Sequence, residues 1–372
     1  MSCNSLDVCP SVWRGSCVGT ESTLHQISPY IGKMKSTMAR VLIESASSPG
    51  DTIFEPFVGS GLVALESLIS GRSVVCCDTN PYAVVLTKAK LFSPPSLSHA
   101  RKLAEKYLNE SAEKVSSVDL DKVPDWVKDF FHPDTLREII SIVRILIQND
   151  ENFLLACLLG ILHHQRPGFL SYPASHAIPY LRTKKFPRAD YPQLYEYRAL
   201  RPRFLRKIER SYKRFPQVNP LLRRDCYLED ATKLNLPKNS VDAVVTSPPY
   251  MNALDYVRDN RLRLWFLGYG NQASLYKGER MNPGKFESLM KGCFRTIDHA
   301  LRPKGKCYFV MGEVNNGTSP VDTAAVIRNI AMEMGSFKCE STAEDYVPQD
   351  RRVRKTGRLV KREYIVVLRK EA

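Results

Sequence analysis

The sequence predicts an α/β protein: a mostly parallel sheet, interrupted by a large helical insert and closed by a C-terminal antiparallel hairpin. Three observations carry that expectation. A strand–glycine turn–helix–strand unit occupies Pro49 to Tyr82, and apolar strand patterns alternating with helices return after Val241. Between Ser93 and Arg224 the chain reads as helices and Pro-rich connections without strand alternation. Its 372 residues, at roughly 150 per domain, suit two domains or one with a large insertion.

In the first unit a turn leads into a short apolar strand, Thr52 to Phe54, then a glycine-rich loop and an amphipathic helix of about Leu62 to Ser70. A second strand, Ser73 to Cys77, ends in Asp78. Gly59 and Gly61 sit between strand and helix, where a missing side chain lets backbone approach a bound group closely. Such a pair is also an ordinary tight turn; the acid closing the next strand favours a nucleotide-type site. A later strand, Val241 to Val245, runs into Thr-Ser-Pro-Pro-Tyr. Another, Lys306 to Met311, follows an Arg-Pro-Lys-Gly turn, and Glu363 to Lys370 closes the chain after a basic loop, Arg351 to Arg362.

Composition narrows the function classes. A 43% apolar content supports a buried core and excludes wholesale disorder. The formal charge of +15 suits a polyanionic partner. Within Tyr180 to Arg224, 14 Lys or Arg face three acids, so +11 of the +15 lies there, interleaved with tyrosines and phenylalanines. Cations with aromatics are what phosphate contact and base stacking need, although a solvated helical face would look the same. The most apolar region, Ile139 to Leu162, is broken by Arg144 and by Gln148 to Asn152, too short for a membrane span. The N-terminus lacks a signal-peptide pattern, so a cytoplasmic protein is expected, nucleoid-associated in a prokaryote. Ten cysteines include no Cys-x-x-Cys pair, which favours reduced thiols and no metal over a zinc site at His163, His164 and scattered cysteines.

Four segments together resemble the S-adenosylmethionine-dependent DNA amino-methyltransferases: Ser28-Pro-Tyr-Ile-Gly-Lys-Met, Phe54-Glu-Pro-Phe-Val-Gly-Ser-Gly61, Asp78-Thr-Asn-Pro81 and Thr246-Ser-Pro-Pro-Tyr250. The resemblance implies a Rossmann-like class I methyltransferase fold with S-adenosylmethionine as cofactor. It implies that Glu55, Pro56, Phe57, Gly59, Ser60 and Gly61 cradle the cofactor, with Tyr30 and Lys33 at its methionine end. Asp78 would meet the ribose, with Asn80 a further cofactor contact, and Asp230-Ala231 would meet the adenine. Asp78 is equally placed to cap the helix beginning Asn80-Pro81.

Ser247, Pro248, Pro249 and Tyr250 form the catalytic tetrapeptide that the resemblance implies. An exocyclic amine is a poor nucleophile because its lone pair is delocalised into the base. Acceptors at the Ser247 side chain and the Pro248 carbonyl would draw its N–H hydrogens and aim the lone pair at the sulfonium methyl. Tandem prolines hold that carbonyl rigidly, and Tyr250 offers a face to a base flipped from the duplex. No Pro-Cys nucleophile dipeptide occurs, which argues against cytosine C5 methylation. In the family Ser-Pro-Pro-Tyr accompanies cytosine N4 methylation, whereas Asp or Asn at the first position is usual for adenine N6 and guanine N2.

The expected organisation is a cofactor-binding half (1–92), a basic helical insert for target recognition (93–224) and a catalytic half (225–372). Arg182, Lys184, Lys185, Arg201, Arg203 and Arg258 are the candidate DNA contacts, Arg261 and Arg263 weaker ones, while Leu262, Trp265 and Phe266 read as core. Residues from His163 to Ser171 and from Ser175 to Pro179 resemble insert segments of some bacterial members and are expected to line the base pocket or to position DNA. The expected function is site-specific, in-line methylation of cytosine N4 in DNA, with a cognate restriction endonuclease as a further partner. Adenine N6 methylation, an RNA amino-methyltransferase acting on cytosine or guanine, and a non-catalytic DNA-binding protein are the alternatives. The short run ahead of the PYIGK segment lowers the RNA reading, and the paired glycine loop and SPPY lower the last.

Overall fold

The computed structural model describes residues 13, 20–32, 34–175, 178–249, 256–270, 281–312, 314–315, 320–346 and 362–371. Seven strands form one sheet: β1 (Thr52–Glu55), β2 (Ser73–Asp78), β3 (Arg224–Leu228), β4 (Val241–Thr246), β5 (Leu301–Gly312), β6 (Phe337–Tyr346) and β7 (Arg362–Lys370). Their spatial order is β3-β2-β1-β4-β5-β7-β6. Strands β1 to β5 run parallel, and β7 lies antiparallel between β5 and β6. That is the expected Rossmann-like class I methyltransferase sheet, closed by the expected antiparallel pair.

Two details differ from the sequence reading. β3 was not anticipated: it is a half-exposed edge strand, Arg-Asp-Cys-Tyr-Leu, embedded in a basic run. The Arg-Pro-Lys-Gly turn falls inside β5, where the register to β4 shifts and Lys304 takes φ 66°. Those residues bulge out of an otherwise regular strand.

Helices cover both faces. α1 (Ser36–Ala46) and α2 (Leu62–Ile69) bring Met38, Leu42 and Leu62 against Ile53, Val245, Val310 and Ile365. α8 (Pro283–Ala300) and α9 (Thr323–Met334) bring Phe294, Ile297 and Ile327 against Phe54, Val244, Phe309 and Val366 on the opposite face. Between them in sequence come α3 (Pro81–Leu91), α4 (Leu97–Lys114), α5 (Pro133–Gln148), α6 (Asn152–Leu159) and α7 (Leu200–Ser211).

The insert is helical for a readable reason. Apolar residues at Leu136, Ile139, Ile140, Val143 and Leu146 recur at helical spacing and are buried. Proline opens α5 at its first turn, where it sacrifices no intrahelical hydrogen bond. Helices α4 to α7 bury these stripes against each other and against α3, in a core continuous with Leu24, Ile27, Leu262 and Phe266. The insert is thereby packed directly on the sheet-covering helix α3, beside the first βαβ unit. Among the described residues no helix is long and apolar enough to cross a membrane, and no disulfide joins the cysteines.

Candidate functional site

Strands β1 and β4 are sheet neighbours, yet the chain leaves β1 towards β2 on one side and β4 towards β5 on the other. Such a reversal opens a crevice at the carboxyl ends of the strands. The glycine loop after Glu55 and the Ser-Pro-Pro segment after Thr246 are both delivered there. A cleft lies between them, and Tyr30, Glu55, Phe57, Gly59, Ser60, Asp78, Asn80, Ser247 and Pro249 line it.

The two glycines do different work. Gly59 has φ +49°, and a Cβ there would meet the Tyr30 ring at 3.4 Å, so the missing side chain keeps the cleft open. Gly61 has φ +68°, and its Cβ would lie 2.8 Å from the Thr87 Cα. Gly61 is therefore required for α2 to approach α3, and it lies behind the cleft wall.

Asp78 organises the rim. Its Oδ2 accepts from Gly59 N at 2.8 Å and its Oδ1 from Asn80 N at 2.8 Å. Burial raises its carboxyl above the usual range, partly opposed by those N–H groups. Asn80 Oδ1 caps α3 through Tyr82 N at 3.0 Å, so the capping role holds for Asn80. Its side-chain amide is buried against the Tyr30 hydroxyl. Glu55 is 3% exposed, its Oε2 lacks a partner among the described residues, and burial holds its carboxyl well above the usual range.

Tyr30 is fixed by a stack of rings. It packs between Tyr82, centroids 6.1 Å apart, and Tyr256, 6.0 Å apart, both at 26°. The Tyr82 hydroxyl donates to the Pro29 carbonyl at 2.8 Å and is 2.6 Å from Ser28 Oγ, which seats the Ser-Pro-Tyr segment on α3. Burial, then the charge of Asp78, pushes the Tyr30 hydroxyl up, so it is neutral. Tyr256 lines the cleft and was missed by the sequence reading; its position six residues past Tyr250 was the available signal.

Other expected residues lie elsewhere. Pro56 stands behind the wall, its carbonyl accepting from Cys77 Sγ at 3.4 Å, and Pro248 is buried at the end of β4. Asp230 and Ala231 follow β3 on the same edge of the sheet, where Glu229 N donates to the Asp78 carbonyl at 3.1 Å. They are not part of the cleft lining: Asp230 holds the N–H of Thr232 at 2.9 Å, and Ala231 packs in the core. Lys33 and Tyr250 lie outside the described residues, as do His176, Ala177 and the basic run up to Lys361.

The candidate nucleic-acid contacts divide. Lys184 and Lys185 are exposed, and Arg182 lies over the Phe186 ring at 5.3 Å. Arg201 instead joins α7 to α4 through Glu105 and Asn109, and Arg203 donates to the Pro167 and Ala199 carbonyls at 2.9 Å each. Arg258 is exposed. Arg261 lies over Trp126 and bonds the Pro179 carbonyl at 3.2 Å. Arg263 corrects the sequence reading: at 1% exposure it donates to the Leu159 carbonyl and lies over Tyr82, out of reach of any phosphate. The flanking Leu262 and Phe266 are core, as expected, and Trp265 is half-buried. His163 donates through Nδ1 to the Ser175 carbonyl at 2.5 Å.

Comparison with known proteins bears on the half of the site built by the glycine loop. Residues 2–89 match the DNA methylase family. No curated protein matches the chain. Among solved structures, TrmN from Thermus thermophilus is similar at 11% identity and TM-score 0.36, over 91% of this chain and 50% of that one. A second Thermus thermophilus protein, assigned to the DNA modification methylases, is similar at 20% identity and TM-score 0.25, over 38% of this chain and 51% of that one. The rRNA methyltransferase aviRa from Streptomyces viridochromogenes is similar at 13% identity and TM-score 0.33, over 92% and 87%. The chain spans about half the length of the first two.

The cleft fits S-adenosylmethionine on its own chemistry. That molecule carries an ammonium, a sulfonium and ribose hydroxyls. Glu55 and Asp78 present carboxyl groups to the cleft of a chain with net charge +15, and Glu55 Oε2 stands without a protein partner among the described residues. A buried polar atom without a partner costs roughly 1–3 kcal/mol, which a bound ligand recovers.

Proposed function

We propose that this chain is an S-adenosylmethionine-dependent DNA amino-methyltransferase whose target is the N4 amine of cytosine. The observation that carries this reading is the shared cleft: Ser247 and Pro249 form one wall, and Glu55, Gly59 and Asp78 form the other. The cofactor supplies an electrophilic methyl group on its sulfonium. Glu55 would hold the ammonium and Asp78 and Asn80 the ribose hydroxyls, with the Gly59 backbone leaving room between them.

At the opposite wall Ser247 Oγ and the Pro248 carbonyl accept the N–H hydrogens of the target amine. This draws the nitrogen toward sp³ and turns its lone pair to the methyl group. Proline at 248 and 249 fixes the acceptor geometry in advance, so little entropy is lost on binding. Positioned acceptors of this type contribute about 10²–10³ in rate.

The experiment is nucleoside mass spectrometry after incubation with methyl-labelled S-adenosylmethionine and either duplex DNA or total RNA. The expected result is label in N4-methyldeoxycytidine, reduced about 10²-fold or more in Ser247→Ala. Label in N6-methyldeoxyadenosine overturns the choice of base, and label confined to RNA overturns the choice of nucleic acid.

A further inference from the structure

A second cavity lies beyond Tyr30, the residue common to its wall and that of the cofactor cleft. It opens between the Thr23–Ile31 stretch and the insert, which contributes the segment following α6 and the later part of α7. Its charged groups are Arg166, Lys207 and Arg210, and the imidazoles of His25 and His164 stand beside them. Among the described residues no Asp or Glu lines it. Glu66, the carboxylate 2.7 Å from His25 Nε2, is fully buried and also held by Arg40 at 2.8 and 3.0 Å, so it does not offset these cations.

Lys207 is 9% exposed, and its Nζ donates to the Gln26 carbonyl at 2.8 Å. Burial, with Arg210 adding to it, pushes the ammonium down to about 8. Burial and then the neighbouring Arg166 and Arg182 also lower His164. The site thus disfavours further positive charge and would be relieved by an anion. A concave surface carrying one sign of charge concentrates ions of the other sign. Beside the cations the rings of His164 and Phe169 lie 4.9 Å apart at 32°, an aromatic surface within the same wall. Cations with aromatic faces are the combination that binds nucleotides of a single strand.

We propose that this cavity holds a nucleotide of the substrate strand adjacent to the reacting base, with its phosphodiester on Arg166, Lys207 and Arg210 and its base against Phe169. The proposal rests on the reading of the chain as a nucleic-acid methyltransferase. The phosphodiester is common to DNA and RNA, so both are tested.

Fluorescence anisotropy of labelled duplex DNA and of structured RNA is measured across a salt series for wild type, Arg166→Gln/Arg210→Gln and Phe169→Ala. Both arginines are on the exposed rim, and no cofactor contact is altered. In the double variant the slope of log K against log salt is expected to fall by about 2, with affinity down about a hundredfold near 0.1 M salt. Phe169→Ala is expected to weaken binding about fivefold to a hundredfold with the slope unchanged. S-adenosylmethionine affinity, measured calorimetrically, is expected to be the same in all three proteins. A double variant matching wild type in slope and affinity, for the nucleic acid that wild type binds, overturns the cavity's role alone. Wild type that binds S-adenosylmethionine and neither nucleic acid overturns the underlying reading, and this proposal with it.

Discussion

The backbone N–H of Gly59 donates to Asp78 Oδ2 at 2.8 Å, while the other oxygen of that carboxylate takes Asn80 N at the same distance. One side chain ties the loop after β1 to the rim of β2 and to the start of α3. Asp78→Ala leaves two amide donors without acceptors, at a cost of about 2 kcal/mol or more. Urea denaturation is expected to show that loss, together with weakened S-adenosylmethionine binding. An unchanged midpoint would mean that the loop is held by other contacts.

Gly59 and Gly61 separate function from packing. Gly61→Ala drives a Cβ to 2.8 Å from the Thr87 backbone at a left-handed φ, so a stability loss of about 2–3 kcal/mol is expected. Gly59→Ala meets only the Tyr30 ring at 3.4 Å and is expected to cost about 1 kcal/mol while narrowing the cleft. Thermal melts and cofactor calorimetry on both variants test this; equal melts would show that α2 and α3 have room to part.

Glu55 predicts a pH dependence with a defined sign. Its folded carboxyl sits well above its unfolded value, so the folded protein holds more protons between the two, and free-protein stability falls as pH rises through that window. A cationic ligand favours the ionised form, so its affinity rises with pH through the same window, about tenfold per unit of linked shift. Glu55→Gln is expected to flatten that rise and to stabilise the free protein above the window. Calorimetric titrations across pH decide: parallel curves for the two proteins would remove Glu55 from the ammonium site.

Gly59 and Gly61 were legible because a left-handed φ at a strand-to-helix turn favours glycine, whereas Asp78 was legible from its place at the end of the βαβ unit and Ser-Pro-Pro through the family resemblance. Ser73 to Cys77 was readable as a strand buried on both faces, but the helix expected to be amphipathic is buried continuously from Leu62 to Leu68, Glu66 and Ser67 included. β3 was not, since an edge strand with one partner tolerates Arg, Asp and Tyr on its exposed side. Tyr256 and the second cavity were invisible for a different reason. Tyr256 acquires its place only when Tyr30 stacks against it, and Lys207 meets Gln26 across 181 positions. Arg263 shows the converse, a cation in a basic stretch whose burial follows from packing on Tyr82 and Leu159.

The basic insert gives a last contrast, between cations that hold the fold and cations left to a partner. Arg201 ties α7 to α4 through Glu105 and Asn109 at the surface, so Arg201→Ala is expected to cost under about 1 kcal/mol in stability and to leave the salt slope of DNA binding unchanged. Lys184 and Lys185 are exposed beside Phe186, and their joint replacement by alanine is expected to keep stability within about 0.5 kcal/mol. The same pair is expected to lower the slope of log K against log salt by about 2. Melting curves and salt-dependent anisotropy on the two variants separate the roles. A slope reduced by Arg201→Ala and untouched by the lysine pair would place the nucleic acid over α7, away from the Arg182–Phe186 turn.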